Sequence, residues 1–287
     1  MSVEALIASS IDGLMLGFVY GLAAMGLTLI FGVMKVINLA HGPIIALGMF
    51  VILTLTQTFG LNPYVALLAA VAAGLGSGIV IYWVAVRRVI DAPELTTLLA
   101  TFSVNLMIIG VGTAVFTTSP RAVDVDLGAL RMGAVTILGT RALAVLIAAL
   151  VAVALYAFLF RTRPGKSIRA VANNRAAAEL MGIDSSWILA LSFGIGTMLA
   201  MTAGGLLATL FSFTILSGGT YEIKSFVIVV LGGLGNPTGA LLGGIVLGLL
   251  EGVSTVFIPV SWVPVLEYAI FVLILLVRPN GLLGARK

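Results

Sequence analysis

Long apolar runs separated by short polar breaks organise this chain. The first covers residues 5–33 and, at ~1.5 Å per residue, outreaches the ~30 Å hydrocarbon core of a bilayer. Runs of spanning length recur at 61–86, 95–116, 138–160 and 187–211. Two shorter runs, 44–57 and 226–231, stand beside breaks. Lys35, Asn38 and His41 lead into Gly42-Pro43, which cannot continue an ordinary helix, and Gly232 to Gly239 carries Asn236-Pro237. A final run covers 265–277. The pattern predicts an all-α polytopic membrane protein of eight or nine transmembrane helices, a single transmembrane domain over residues 1–287. The two interrupted segments hint at an internal repeat.

Each break has two readings. In one it is a broken helix whose irregular backbone is tolerated only where protein or a water-filled cavity covers it, which makes Asn38, His41 and Asn236 candidates for a translocation pathway. In the other it is an ordinary turn at the membrane surface. Two spans carry glycine at every fourth position, Gly13/Gly17/Gly21 and Gly244/Gly248/Gly252, a spacing that lets helices pack closely within the chain or against a partner permease.

Composition excludes a soluble fold: of 287 residues, 61% are hydrophobic and 9% charged, against about a quarter charged in soluble domains. The mean hydropathy is +1.22. The opening MSVEALIASS has neither a basic n-region nor a convincing cleavage site, so the first span is expected to be retained. There is no cysteine, hence no disulfide or thiolate metal site, and His41 as the only histidine is a poor metal ligand.

Charge orients the chain. Residues 161–184, RTRPGKSIRAVANNRAAAELMGID, hold Arg161, Arg163, Lys166, Arg169 and Arg175 against Glu179 and Asp184, and basic loops of this length stay on the cytoplasmic side. With Arg87, Arg88, Arg278, Arg286 and Lys287 the inner side collects ten basic residues, against Arg121, Arg131, Arg141 and Lys224 outside. That balance predicts an outside N-terminus and an inside C-terminus. Within the island Asn173 or Asn174 suits a helix N-cap and Gly182 a left-handed C-terminal cap, so a two-turn helix is expected over 175–181. It serves either as a solvated loop helix that sets topology or as a docking knob for a soluble partner.

Catalytic chemistry is not written here. Gly165-Lys166-Ser167 lacks the upstream glycine of a G-x-x-x-x-G-K-[ST] phosphate loop, position 160 being Phe160, and there is no H-E-x-x-H or G-x-S-x-G. The chain therefore reads as a non-enzyme that binds no cofactor itself, and its positive charge as topology rather than a nucleic-acid surface.

Four strings, GLMLGFVYGLAAMGLTLIFGVMKVINLAHG, RTRPGKSIRAVANNRAAAELMGID, VLGGLGNPTGALLGG and LVRPNGLLG, resemble the membrane permeases of bacterial branched-chain amino acid ABC importers, the LivH type, nearly end to end. The resemblance implies an inner-membrane, multi-pass permease subunit with a second homologous permease (LivM-like), two ATP-binding subunits that hold ATP and Mg, and a periplasmic substrate-binding protein. It implies that the island contacts the ATPase, through Thr162, Gly165, Arg169, Ala170, Asn174, Ala178, Met181, Gly182 and Ile183, and it directs attention to Arg175 and Glu179 on the same loop. Similar permeases serve urea, short amides and aromatic acids, so the machine is indicated more sharply than its cargo. A rival reading, a stand-alone channel or ion-coupled carrier, assigns the ion or proton to Asp12, Glu251 and Glu267. A third, a structural scaffold, gives the basic island no role.

Overall fold

The computed structural model describes residues 3–132 and 135–277. The inner-side charges Arg278, Arg286 and Lys287, the LVRPNGLLG string beyond Val277 and the Arg131 side chain lie outside the described residues. Eleven α-helices are present among the described residues: α1 Val3–Met34, α2 His41–Phe59, α3 Pro63–Ile81, α4 Glu94–Phe116, α5 Gly139–Arg161, α6 Arg163–Asn173, α7 Arg175–Leu180, α8 Ser185–Ala208, α9 Gly218–Gly232, α10 Pro237–Phe257 and α11 Val263–Val277. Eight helical segments are long and apolar enough to cross a bilayer, α3 counted with its π-helical extension Tyr82–Val86 and α9 with the 3-10 turn Ile215–Ser217 before it, and Val260–Leu276 adds a shorter apolar helix. The protein is an all-α polytopic membrane protein.

The core is built on α1 and α8, which are apolar around their whole circumference and bury most of it, as such helices must. The two glycine faces found in the sequence meet each other. Descending α1, Gly13 lies against Gly248 and Gly252, Gly17 against Gly244, and Gly21 against Leu241, so α1 and α10 run antiparallel with their backbones in contact. A Cβ built on Gly17 would stand 2.7 Å from the Gly244 carbonyl oxygen. No room remains on that seam for a partner permease, the alternative use expected of these faces. On the other side α8 receives α3, where Thr197 Oγ1 donates to the Gly74 carbonyl at 2.8 Å, and α2 through Gly48 and Gly204.

Several boundaries depart from the sequence expectation for physical reasons. Gly42-Pro43 does not break a helix: both lie in the first turn of α2, where the N–H that proline lacks has no intrahelical partner to lose. The short run 226–231 is the end of the fifteen-residue α9, whose first turns carry Glu222 against Gly42 and Lys224 against Glu251 and Glu267 inside the bundle. Lys224 is therefore not an outer-loop charge. The loop between α4 and α5 contains an antiparallel hairpin, β1 Ala129–Met132 and β2 Val135–Leu138, in the register Ala129↔Leu138 to Met132↔Val135. Arg121 and Phe213 exchange backbone hydrogen bonds of 2.8 Å, tying that loop to the irregular segment 209–217.

Candidate functional site

The basic island folds as two helices, not one. Thr162 caps α6, its Oγ1 accepting from Gly165 N at 3.1 Å and donating to the Phe158 carbonyl at 2.7 Å. Pro164 and Gly165 occupy the first turn, where they read as breakers only if the cap is overlooked. Gly165, Ile168 and Val171 make the buried stripe, and a Cβ at Gly165 would stand 2.6 Å from Leu159 Cα, so α6 folds tightly under the end of α5. Asn174 then leaves the helical region at φ −155°, and its Oδ1 accepts from Ala177 N at 3.0 Å to start α7. At the other end Gly182 takes φ +81°, Ile183 N bonds the Ala178 carbonyl at 3.1 Å and Gly182 N the Glu179 carbonyl at 2.9 Å. These two bonds are a Schellman cap, which a β-branched residue at that φ would strain by about 1 kcal/mol or more.

Most residues that the resemblance assigns to the ATPase contact thus shape the loop. Thr162, Asn174 and Gly182 cap helices, Gly165 and Ala178 are buried, Ala170 is half-buried, and Arg169 Nε donates to the Leu159 carbonyl at 3.1 Å. Arg175 is a brace: Nη1 reaches Asp91 Oδ1 on the α3–α4 loop at 2.8 Å, and Nε reaches Glu179 Oε1 at 3.1 Å and Ser185 Oγ at 3.3 Å. The i,i+4 pair with Glu179 is visible in sequence; Asp91, 84 residues away, is not. Hydrogen bonds from Ser185 and then Arg175 hold the Glu179 carboxyl below the usual carboxylate range, so the brace is intact at neutral pH and loosens as pH falls through that lowered pKa. Because these partners are largely exposed, Arg175→Ala is expected to cost under about 1 kcal/mol of stability in chemical denaturation. What α7 offers outward is Leu180, 89% exposed, and Met181, 83% exposed. Leu180 was missed because a leucine in an apolar-rich chain carries no signal until its helix is seen to stand clear of the bundle.

The first break is a fold-back of non-helical chain that ends in a turn. Lys35, at φ 58°, ends α1, and six residues later His41 Nε2 bonds the Ala23 carbonyl at 3.0 Å. Ala23 lies eleven residues back along α1 from Met34, about 16 Å, a distance that residues 35–38, the turn in which His41 N bonds the Asn38 carbonyl at 3.3 Å, and the His41 side chain cover together. Thr101 Oγ1 donates to the Ile37 carbonyl at 3.1 Å and accepts from Leu39 N at 3.3 Å, and Asn105 Nδ2 donates to the Leu39 carbonyl at 2.6 Å. Polar side chains of α4 thus satisfy backbone that no helix serves, as the interior of a membrane requires. Asn38 and His41 are both fully buried. A carbonyl only accepts, so His41 Nε2 carries the proton.

Asn236 differs. It is a half-exposed N-cap of α10, accepting from Gly239 N at 3.1 Å and Thr238 Oγ1 at 2.9 Å. What faces the end of the first break is the start of α9: the first turns of α2 and α9 touch at Gly42 and Gly218, where a Cβ on Gly42 would stand 2.6 Å from the Gly218 carbonyl oxygen. The pairing of Asn38…Pro43 with Asn236…Gly239 is corrected accordingly. In this cysteine-free chain, Asn38→Cys and His41→Cys are expected to react slowly with a membrane-impermeant maleimide while Lys35→Cys and Asn236→Cys react readily. Equal rates at all four would return the first break to the surface.

The carboxylates of the carrier reading are each paired. Asp12 Oδ1 lies 2.6 Å from Arg141 Nη1, while Glu251 Oε2 and Glu267 Oε1 lie 2.6 Å and 3.1 Å from Lys224 Nζ. Lys224 also sits over the Tyr20 ring, 4.8 Å from its centroid. Among the described residues no group of three acidic or histidine side chains is placed to hold a metal ion.

Comparison with known proteins completes the picture. The family described as "Branched-chain amino acid transport system / permease component" matches residues 9–277. The high-affinity branched-chain amino acid transport system permease protein LivH of Escherichia coli (strain K12) is 32% identical over 95% of this chain and 94% of its own length. The corresponding permease protein BraD of Pseudomonas aeruginosa is 31% identical over 96% and 94%. A probable branched-chain amino acid transport permease of Methanocaldococcus jannaschii is 30% identical over 92% and 88%.

Proposed function

Because the chain belongs to the family of branched-chain amino acid transport permease components, we propose that it is the inner-membrane permease subunit of an ABC importer for a small amino acid, branched-chain or hydrophobic. It works with a second homologous permease, two ATPase subunits that bind ATP and Mg, and a periplasmic substrate-binding protein. Urea, short amides and aromatic acids are the alternative cargoes. Residues 161–184 form the coupling loop on the cytoplasmic side, and nine crossings, α11 included, put the chain ends on opposite sides.

The observation that carries this reading is the exposed apolar pair Leu180 and Met181 on a capped helix. An apolar tip on a loop outside the bilayer is stable in water only at a cost, and a complementary pocket on a soluble subunit offsets it. The loop is also built as a lever. Gly165 and Arg169 fix α6 to the end of α5, Asp184 caps α8 directly after the loop with Oδ1 3.1 Å from Trp187 N, and Arg175 fastens α7 to Asp91 between α3 and α4. Displacement of α7 is thereby passed to the ends of α5 and α8, with the exposed Arg175–Asp91 pair as a weaker link towards α4, which supports the fold-back at Asn38. Alternating access needs such a rigid link to a bistable bundle.

Vesicles holding this chain, a homologous permease, the ATPase and a leucine-loaded binding protein test the proposal. ATP-dependent leucine uptake is expected, and Leu180→Asp/Met181→Asp should reduce ATPase association at least tenfold, about 1.4 kcal/mol, with folded yield unchanged. Unimpaired association would remove the tip from the interface, and uptake by this chain alone, without ATP, would favour the carrier reading.

A further inference from the structure

A second feature lies apart from the fold-back and the ion cluster. Between α1, α5, α6 and the start of α10 runs a groove of about 560 Å³. Its walls are almost wholly apolar, with Phe18 and Leu29 on α1, Ala152, Tyr156 and Leu159 on α5, and Ile168 on α6. Among the described residues no acidic side chain lines it. Along α5 the lining extends from Ala149 to Phe160, roughly 15 Å at the helical rise, which is about half of the ~30 Å hydrocarbon core. The groove is as long as one leaflet is deep.

Its polar features gather at one end, beside the basic loop. Arg169 lines that end, with its guanidinium 4.4 Å from the Phe160 ring and Nε held by the Leu159 carbonyl. Stacked and tethered in this way, the guanidinium is oriented before anything binds, and its two terminal amino groups have no hydrogen-bond partner among the described residues. Lys166, three residues earlier and exposed, stands on the same side of α6. An apolar trough about one leaflet deep, with a stacked arginine lining one end and an exposed lysine one turn away on the same helix, suits an anionic amphiphile. We propose that the groove holds an acyl chain of an anionic phospholipid of the facing leaflet, with the lipid phosphate on Arg169. The chain fills apolar volume, and the bidentate guanidinium geometry suits phosphate oxygens. Basic pockets between membrane helices bind anionic headgroups by the same logic. A lipid seated there would touch α5 and α6 together, so it would stiffen the joint through which the basic loop meets the membrane.

The proposal does not depend on the cargo or on any partner subunit, and its test uses neither. The full-length chain, reconstituted into vesicles of phosphatidylethanolamine and phosphatidylglycerol, is extracted in mild detergent and its retained lipid measured by native mass spectrometry. Preferential retention of phosphatidylglycerol is expected, falling about tenfold in Arg169→Gln, the size of effect for one charge-assisted contact, and in Ala152→Trp, which fills the trough. Should Ala152→Trp fail to fold, phosphatidylglycerol bearing a photoreactive acyl chain decides with the wild-type chain: cross-links are expected on residues 149–160 and on α1. Equal retention of the two lipids, retention unchanged in Arg169→Gln, or cross-links spread over the exposed faces of α3 and α4 would each overturn it.

Discussion

Replacing Lys224 by methionine is expected to destabilise the protein by about 3–5 kcal/mol, the cost of removing one partner from a buried ion pair. Lys224, 7% exposed on α9, is shared by Glu251 of α10 and Glu267 of α11, and Glu267 is 1% exposed. Methionine keeps the length of the side chain but leaves two carboxylates facing each other inside a bundle. Glu267→Gln should be far milder, because the amide oxygen can still accept from Lys224 and a one-to-one pair with Glu251 remains; Glu267 Oε2 has no hydrogen-bond partner to lose. The contrast matters for α11, whose fully enclosed side chains are Val263 at its start and Glu267 one turn on. Beyond the ion contact, α11 is held mainly by the partly buried Tyr268, Phe271 and Ile274, so Lys224→Met should expose α11 to proteolysis before the rest unfolds. The check is a thermal or detergent-denaturation midpoint with limited proteolysis of both variants. Equal small losses would mean that water reaches the cluster and screens it, and the charges would then be free for the carrier reading.

The same cluster shows what sequence reading reaches and where it stops. Apolar run length predicts the membrane helices well because a bilayer demands it residue by residue. Tyr221-Glu222-Ile223-Lys224, however, looks like a connector, since the glutamates that neutralise Lys224 are 27 and 43 residues away. Pairing across that separation depends on which helices pack, and run length carries no such information. The island shows a local form of the same limit: the C-terminal cap at Gly182 is visible because one residue type answers one backbone conformation, whereas α6 is masked by Pro164-Gly165, which mean a break or a helix start according to the residue before them. At the fold-back, Asn38 and His41 stand out as polar residues beside apolar runs, but Thr101 and Asn105, which complete the site, are unremarkable within α4. Among candidate residues, those whose role is set by their own backbone could be assigned from sequence, and those whose role is set by a distant partner could not.

Gly17→Leu and Gly248→Leu should abolish most of the folded yield, the second large effect expected. The reason is backbone contact rather than crowding of side chains. A Cβ on Gly17 would lie 2.7 Å from the Gly244 carbonyl oxygen and 2.8 Å from Ile245 Cα, and one on Gly248 would lie 2.5 Å from Gly17 Cα. Side chains relieve such contacts by changing rotamer, but two helix backbones must move apart. The seam from Gly13 to Gly21 would then open along its length, forfeiting dispersion contacts that individually contribute only about 0.1–0.2 kcal/mol but are numerous. Overpacking of a well-filled core costs about 1–3 kcal/mol, and a rigid backbone neighbour puts these substitutions at the upper end, with Gly17→Ala already measurable. Gly76 on α3 and Gly110 on α4 supply the control, because a Cβ at either meets nothing within 4 Å. Gly76→Leu and Gly110→Leu change hydrophobicity and helix propensity in the same way as the seam variants and should purify as wild type does. Size-exclusion yield of fluorescently tagged protein separates the two classes. If the seam variants ran with the controls, α1 and α10 would not be in backbone contact, and the helix pair on which the α9–α10–α11 side of the bundle is built would have to be drawn differently.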